Sequence, residues 1–192
     1  MHPYCKHNKS TMTNIYNGRP EQTDGRPETE IEVYNLLDKL GVEYATVCHE
    51  ALFTMEACKE IETVLGAAIP KNLFLCNRQQ TQFYLLMLPG EKPFKSKQLS
   101  AQLGCARLSF ANEEKMKSIL RLTPGAVSPM GLMNDTEQCV KFLMDKDLLE
   151  NEFICFHPCV NTSTIKISTR DFLGKVAATM NHTPEFVELS AE

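Results

Sequence analysis

From Pro27 onward the apolar residues recur at helical intervals: Ile31, Tyr34, Leu37 and Leu40 form one stripe, with Val33 and Leu36 beside it. Acidic residues crowd the first turn of this segment and Gly41 stands where a helix stops, so a helix is predicted over "PETEIEVYNLLDKLG". "VEYATVCH" reads as a short strand. "TMEACKEIETVLG" reads as a second helix, with Thr54 as N-cap and Gly66 as terminator. "NLFLCN" and "QFYLLML" are nearly unbroken apolar runs joined by the polar turn "NRQQ", which predicts two strands buried on both faces near the centre of a sheet.

The pattern then shortens. "KSKQLSAQLG" predicts a helix closed by Gly104, "ARLSF" a strand and "NEEKMKSILRL" another helix. A loop punctuated by glycine and proline, "TPGAVSPMGLMND", precedes three strands in "QCVKFLMD", "EFICFHP" and "TSTIKIS". Ser168 and Asp171 have capping-box spacing and open a last helix, "TRDFLGKVAATM", before a terminal strand, "EFVEL". Helices and strands intermix without strict alternation, so the expected fold is α+β: one domain, residues 27–192, built on a single mixed sheet with helices around it. Residues 1–26 are polar, repeat Gly-Arg-Pro-Glu at Gly18 and Gly25, and show neither periodicity, so a flexible N-terminal arm is expected there.

Composition narrows the classes. In 192 residues, 43% hydrophobic and 23% charged describe an ordinary globular protein, and the net charge of −4 excludes a global basic footprint for wrapping nucleic acid. A local contact with one end of an RNA stays compatible with that balance. No run approaches the roughly 18–20 apolar residues of a membrane span. The first residues lack the apolar core of a secretory signal, so a cytoplasmic location is expected. The eight cysteines are scattered without a CxxC pair, which suggests buried free thiols instead of a disulfide framework or a zinc ribbon.

Three short clusters carry candidate chemistry. Lys71 and Asn72 open the apolar strand "KNLFLC"; either the lysine snorkels to solvent while the amide caps a turn, or a cation and an amide guard the mouth of a pocket. "GAVSPMG", Gly125 to Gly131, is either a plain turn or a tight loop whose N–H groups receive a carbonyl oxygen. In "FHPCVNT", His157 precedes a proline and is therefore extended, at a strand end. Cys155, His157 and Cys159 lack a complete ligand set for a metal, and nothing in the sequence marks Cys159 as an activated nucleophile.

Taken in order, "PKNLFL", "GAVSPMG" and "FHPCVNT" resemble the prolyl-tRNA-synthetase-associated editing domain family, freestanding relatives of the editing domain inserted into bacterial prolyl-tRNA synthetases. The resemblance runs from about Glu30 to the C-terminus and includes "RLSFA" at Arg107 to Ala111. The pattern His157-Pro158-x-x-Asn161 is most similar to the branch that hydrolyses Ala-tRNA(Pro), with the Cys-tRNA(Pro) branch as the alternative. Many relatives continue the first motif with a basic and an acidic residue, where this chain has Cys76 and Asn77.

The resemblance implies an editing-domain fold and an aminoacyl-tRNA deacylase, with Lys71, Asn72, Gly125 and His157 as catalytic residues. Lys71 would anchor the terminal phosphate or sugar, Asn72 would orient the aminoacyl group or a water, and Gly125 would offer N–H groups to the carbonyl oxygen. His157 would line the pocket and order the acceptor end. Thr54, Ser128 and Asn161 are the expected substrate-binding residues, with phosphate contacts from Lys92, Lys95 and Lys97. No metal or organic cofactor is implied. The expected partners are the acceptor end of mischarged tRNA(Pro) and, transiently, prolyl-tRNA synthetase, with neither membrane nor DNA. The rival class is a non-catalytic module that binds aminoacyl-tRNA or a free amino acid in the same pocket.

Overall fold

The computed structural model describes residues 15–51 and 54–190. After a short strand β1 (Ile15–Asn17), helix α1 (Glu28–Lys39) buries Val33, Tyr34 and Leu37, with Ile31, Leu36 and Leu40 packed at the edge of the same core. Gly41 follows it with φ +59°, a left-handed conformation that stops a helix at no steric cost in glycine. Next come β2 (Tyr44–Cys48), α2 (Met55–Leu65), β3 (Lys71–Cys76), β4 (Phe83–Leu88), α3 (Ser96–Gln102), β5 (Ser109–Phe110) and α4 (Glu113–Leu120). The glycine- and proline-rich loop holds a 3-10 helix, Pro129–Asn134, before β6 (Val140–Asp145), β7 (Phe153–Phe156) and β8 (Ser163–Ser168). Ser168 caps α5 (Thr169–Asp171) by accepting the Asp171 N–H at 3.1 Å, and the helix continues in a π-helical stretch, Phe172–Ala177. Strand β9 (Glu185–Val187) ends the order.

The α+β class holds, but the strands form two sheets where one was expected. One has the order β1-β2-β8-β7 with antiparallel pairs throughout; the other has the order β5-β3-β4-β6-β9 and is mixed, since β6 pairs in parallel with β4 and with β9. The division is invisible to local pattern because β8 pairs back to β2, more than a hundred residues earlier, and β7 pairs with β8 and not with the neighbouring β6. Side chains from both sheets meet in the main core: Phe74, Leu85, Met87 and Phe142 from one, Ile154, Phe156 and Ile165 from the other. Alternation along β4 sends Leu86 and Leu88 to the opposite face, where Leu99 of α3 and Leu189 cover them. Helix α2 covers the outer face of the four-stranded sheet through Cys58, Ile61 and Leu65 against Val47 and Cys155. The continuous apolar runs are thus strands with two buried faces, as their composition predicts.

Two expectations need correction. Residues 15–26 are part of the packed structure. Strand β1 pairs with β2 in the register Ile15↔Val47, the Gly18 N–H donates to the Tyr44 carbonyl at 2.7 Å, and Arg19 Nε donates to Asp38 at 2.7 Å. A three-residue strand is too short to show alternation, and the flanking glycines and prolines masked it; the expectation for residues 1–14 lies outside the described residues. Lys92 is the second correction. It is buried and paired with Asp145 at 2.9 Å and Asp147 at 2.7 Å, so its ammonium is engaged inside the fold, tying the β4–α3 connection to the end of β6. Burial opposes its charge, yet the hydrogen bonds to Asp145 and Asp147 prevail and raise its pKa.

Asp145 is wholly buried and also receives the Asp147 and Leu189 N–H groups, so removing its cation leaves an uncompensated buried charge. Lys92→Met is expected to destabilise the fold by about 3 kcal/mol in urea unfolding, with the folded variant's site chemistry unchanged. A stability within about 1 kcal/mol of wild type would mean the pair behaves like an exposed one.

Candidate active site

At its rim the layer between the sheets opens into a cavity of about 230 Å³. Lys71 and Asn72 enter it from the start of β3, Phe156 and His157 from the end of β7, Thr54 and Cys58 from α2, and Gly125 and Val127 from the loop after α4. Ile69 and Pro70 complete the wall. Asn72 follows from strand alternation: it shares a face with Phe74 and Cys76, which point into the inter-sheet core. Its Oδ1 is buried and has no hydrogen-bond partner among the described residues. Lys71 is half-buried and, among the described residues, no carboxylate lies within ion-pair distance of its ammonium.

The loop side is a turn set by Pro124 and Gly125. The Ala126 N–H donates to the Thr123 carbonyl at 3.0 Å and Gly125 has φ +85°, the type II arrangement with proline at its first central position and glycine at its second. No hydrogen bond of the described residues uses the Gly125 N–H. Two residues on, Ser128 is fully buried: its hydroxyl donates to the His157 backbone carbonyl at 2.5 Å and accepts the Met130 N–H at 3.1 Å. Ser128 therefore caps the 3-10 helix and anchors the strand end, touching the histidine's backbone and not its ring.

His157 Nδ1 lies 2.8 Å from the Ser163 carbonyl oxygen. A carbonyl only accepts, so Nδ1 carries the proton and Nε2 of the neutral ring is an acceptor. Burial lowers the His157 pKa, which keeps the ring neutral at pH 7. Beside it, at 6.0 Å between ring centroids, stands His49, held by the Glu50 carbonyl at 2.7 Å and Thr164 Oγ1 at 2.8 Å. Burial, with a smaller effect from His157, pushes the His49 pKa down to about 4.

Five of the seven expected site residues, Thr54, Lys71, Asn72, Gly125 and His157, line one cavity. Ser128 and Asn161 do not: the serine is the cap just described, and Asn161 sits half-buried in the turn leading into β8. Cys155 and Cys159 face different core clusters, Cys155 under α2 and Cys159 in the inter-sheet core, and burial pushes each thiol up to about 12. The walls Cys58, Ile69, Val127 and Phe156, and the neighbour His49, went unread in the sequence. Val127 and Phe156 lie inside the quoted motifs, and Cys58 is one helical turn beyond Thr54, so adjacency was the available signal. Lys95 and Lys97 lie elsewhere, in a groove of about 910 Å³ with Arg78, Arg107, Phe94 and Phe110, at the other end of β3.

Among the described residues the cavity combines apolar walls, one cation, an unpaired amide oxygen, an unused backbone donor and a neutral imidazole, a set suited to positioning a ligand and stabilising charge. The chain belongs to the aminoacyl-tRNA editing domain family, whose model matches residues 49–174. It is 33% identical over 153 residues to the prolyl-tRNA editing protein ProX of Acetoanaerobium sticklandii, covering 80% of this chain and 93% of that one. It is 31% identical over 155 residues to the prolyl-tRNA synthetase associated domain-containing protein 1 of Danio rerio, covering 80% and 83%. The fold matches the solved structure of "a putative trans-editing enzyme for prolyl tRNA synthetase" with a TM-score of 0.65 at 18% identity, covering 85% of this chain and 98% of that one.

The histidine pair makes stability acid-sensitive. His49 titrates near 6.5 when unfolded and at about 4 when folded, so the unfolded chain binds the extra proton between those values. Stability present above pH 6.5 is lost as pH falls through that window, by on the order of 3 kcal/mol from this residue. His49→Gln should flatten the fall between pH 7 and 4.5 in urea unfolding by about 2 kcal/mol. Equal falls in the variant and wild type would remove His49 as the cause.

Proposed function

We propose that this chain is a trans-editing deacylase that hydrolyses the ester of alanine mischarged onto tRNA(Pro), working in the cytoplasm on the tRNA acceptor end. The observation that carries the reading is the convergence of Lys71, Asn72, Gly125 and His157 on one cavity of about 230 Å³. An aminoacyl ester is already activated, so placing a water and stabilising the charge that develops on the carbonyl oxygen suffice. Lys71 holds the terminal phosphate or sugar of the RNA. Asn72 Oδ1 accepts from the substrate amino group or the water. The Gly125 N–H, free of internal partners, faces the carbonyl oxygen as it becomes an oxyanion, and His157 Nε2 accepts from the water or the ribose hydroxyl. Water supplies the oxygen of the released carboxylate, and the ribose leaves with the proton.

Selectivity follows from the walls. Hydrophobic pockets discriminate a missing methylene by only about 1–3 kcal/mol, so a synthetase built for proline also charges smaller amino acids. A second cavity bounded by Cys58, Ile69, Val127 and Phe156 excludes the proline ring by overlap, which discriminates far more strongly. The groove lined by Arg78, Lys95, Lys97 and Arg107 supports an RNA partner on a chain of net charge −4. It sits beside the Cys76 end of β3, about 17 Å from the Lys71 end at ~3.3 Å per residue. That is a few nucleotide steps, the reach of an acceptor end whose last ribose enters the cavity.

The deciding assay compares purified Ala-, Cys- and Pro-tRNA(Pro) at one salt concentration. Alanyl ester should be hydrolysed and prolyl ester roughly 100-fold more slowly. Equal rates on the two defeat the editing reading; preference for the cysteinyl ester keeps the reaction and changes the substrate; binding without turnover establishes the non-catalytic module. Lys71→Ala should lose most turnover and lower the salt slope of RNA binding by about 1. An unchanged slope and rate would return Lys71 to a solvated strand end.

A further inference from the structure

Behind His157 lies a buried polar cluster that the proposed chemistry does not use. Glu30, in the first turn of α1, is 1% exposed, and its Oε1 alone receives three hydrogen bonds: from Arg26 Nη1 at 2.6 Å, Tyr34 OH at 2.8 Å and Ser163 Oγ at 2.7 Å. Arg26 also reaches Ser163 Oγ at 3.3 Å and Cys48 Sγ at 3.0 Å. A carboxylate so deeply buried persists only when paired and hydrogen-bonded, and this one has both. What distinguishes the cluster from an ordinary buried ion pair is its last link. Ser163, which it grips by the side chain, is the residue whose carbonyl holds the His157 ring at 2.8 Å.

We infer that Glu30 is a positioning residue for His157: through Ser163, and locked by Arg26, it fixes the imidazole as the Nδ1–H tautomer with Nε2 turned to the cavity. Ser163 is the first residue of β8 and pairs with Cys48, the last of β2; the His49 N–H holds the preceding Thr162 carbonyl at 2.9 Å, so the backbone is tied from the β2 side while the Ser163 carbonyl is given to the His157 ring. The side chain adds a second constraint, from α1. On the other sides His157 meets the His49 ring, whose own nitrogens are engaged, and Ser128 on its backbone carbonyl, with Lys71 across the cavity. None of these bonds Nδ1. Arg26 and Glu30 also lie outside residues 49–174, the span of the editing-domain match, so this chain braces its site with the segment that precedes it. That gives residues 15–26 a reason to be pinned against the sheet.

The inference rests on the deacylase reading only for the rate, not for the ring. Two measurements therefore run together on the full chain: ¹⁵N NMR of the histidine rings in the free protein, and the kcat and KM for Ala-tRNA(Pro) as a function of pH. Wild type should show His157 as the Nδ1–H tautomer. Ser163→Ala cuts the link while keeping the carbonyl and the Arg26–Glu30–Tyr34 contacts. It should mix the tautomers, lower the His157 titration midpoint further, because burial stays while the Ser163 carbonyl that favours the protonated ring is loosened, and lower kcat about 10- to 100-fold with KM nearly unchanged. Glu30→Gln should sit between it and wild type, and Glu30→Ala should match or exceed it if it folds. Ser163→Ala with wild-type ring signals, titration and kcat would reduce the cluster to a buried ion pair. If wild type hydrolyses none of the esters, the deacylase reading fails, and the ring signals still decide whether Glu30 positions His157.

Discussion

On β3 the residues that face the layer between the sheets are Asn72, Phe74 and Cys76, and the amide oxygen of Asn72 is buried there without a partner. Leaving such an acceptor unpaired costs about 1–3 kcal/mol. The fold sustains that cost because the strand behind it is over-determined: Phe74, Leu75 and Cys76 are buried, β4 lies against it over six residues, and apolar cores press on both faces. The acceptor is therefore held ready for a ligand without having to be stripped of water or reoriented when one arrives. Everything else at the rim follows from this end of the apolar layer, since the two sheets must part for the amide and their parting is the cavity.

The same economy of charge marks the rest of the site. Lys71 is the single formal charge on the cavity wall among the described residues, and the histidine opposite is kept neutral by burial and oriented by the Ser163 carbonyl. Two cations facing each other there would repel; a cation beside a neutral acceptor avoids that cost. The thiols nearby are silenced by the same low dielectric, with Cys155 and Cys159 pushed to about 12. Burial, not a specific partner, thus selects which groups can act, and it favours positioning over covalent attack.

Much of this was legible in the sequence. Helical stripes, glycine stops and the Ser168 cap are local signals, and each stands in the structure at its expected place. The motif residues Lys71, Asn72, Gly125 and His157 meet although 86 positions separate the first from the last, which only their joint resemblance to a family could suggest. What stayed hidden was non-local. Sheet membership depends on β8 returning to β2, and strand β1 is too short for a period to register. Ser128 and Lys92 show the other limit: a hydroxyl or ammonium beside a motif reads the same whether it meets substrate or the protein's own backbone and carboxylates. Only the hydrogen-bond partners, the His157 carbonyl in one case and Asp145 in the other, separate the two.

The same contacts sort the cations of this acidic protein into two groups. Its cations are divided between duties: Lys92 is neutralised inside the fold, and Arg19, Arg26 and Arg121 are spent on Asp38, Glu30, Glu28 and Glu32 around α1. Lys95, Lys97, Arg78 and Arg107 instead share one groove with the half-buried Phe94 and the exposed Phe110, and none of the ion pairs among the described residues includes them. Net charge averages over both groups and so conceals the second. An anion responds to the local field within a Debye length of about 10 Å, and the groove brings four cations together on that scale. The groove and the cavity thus stand at opposite ends of β3, and the rigidity of that strand fixes the distance between them.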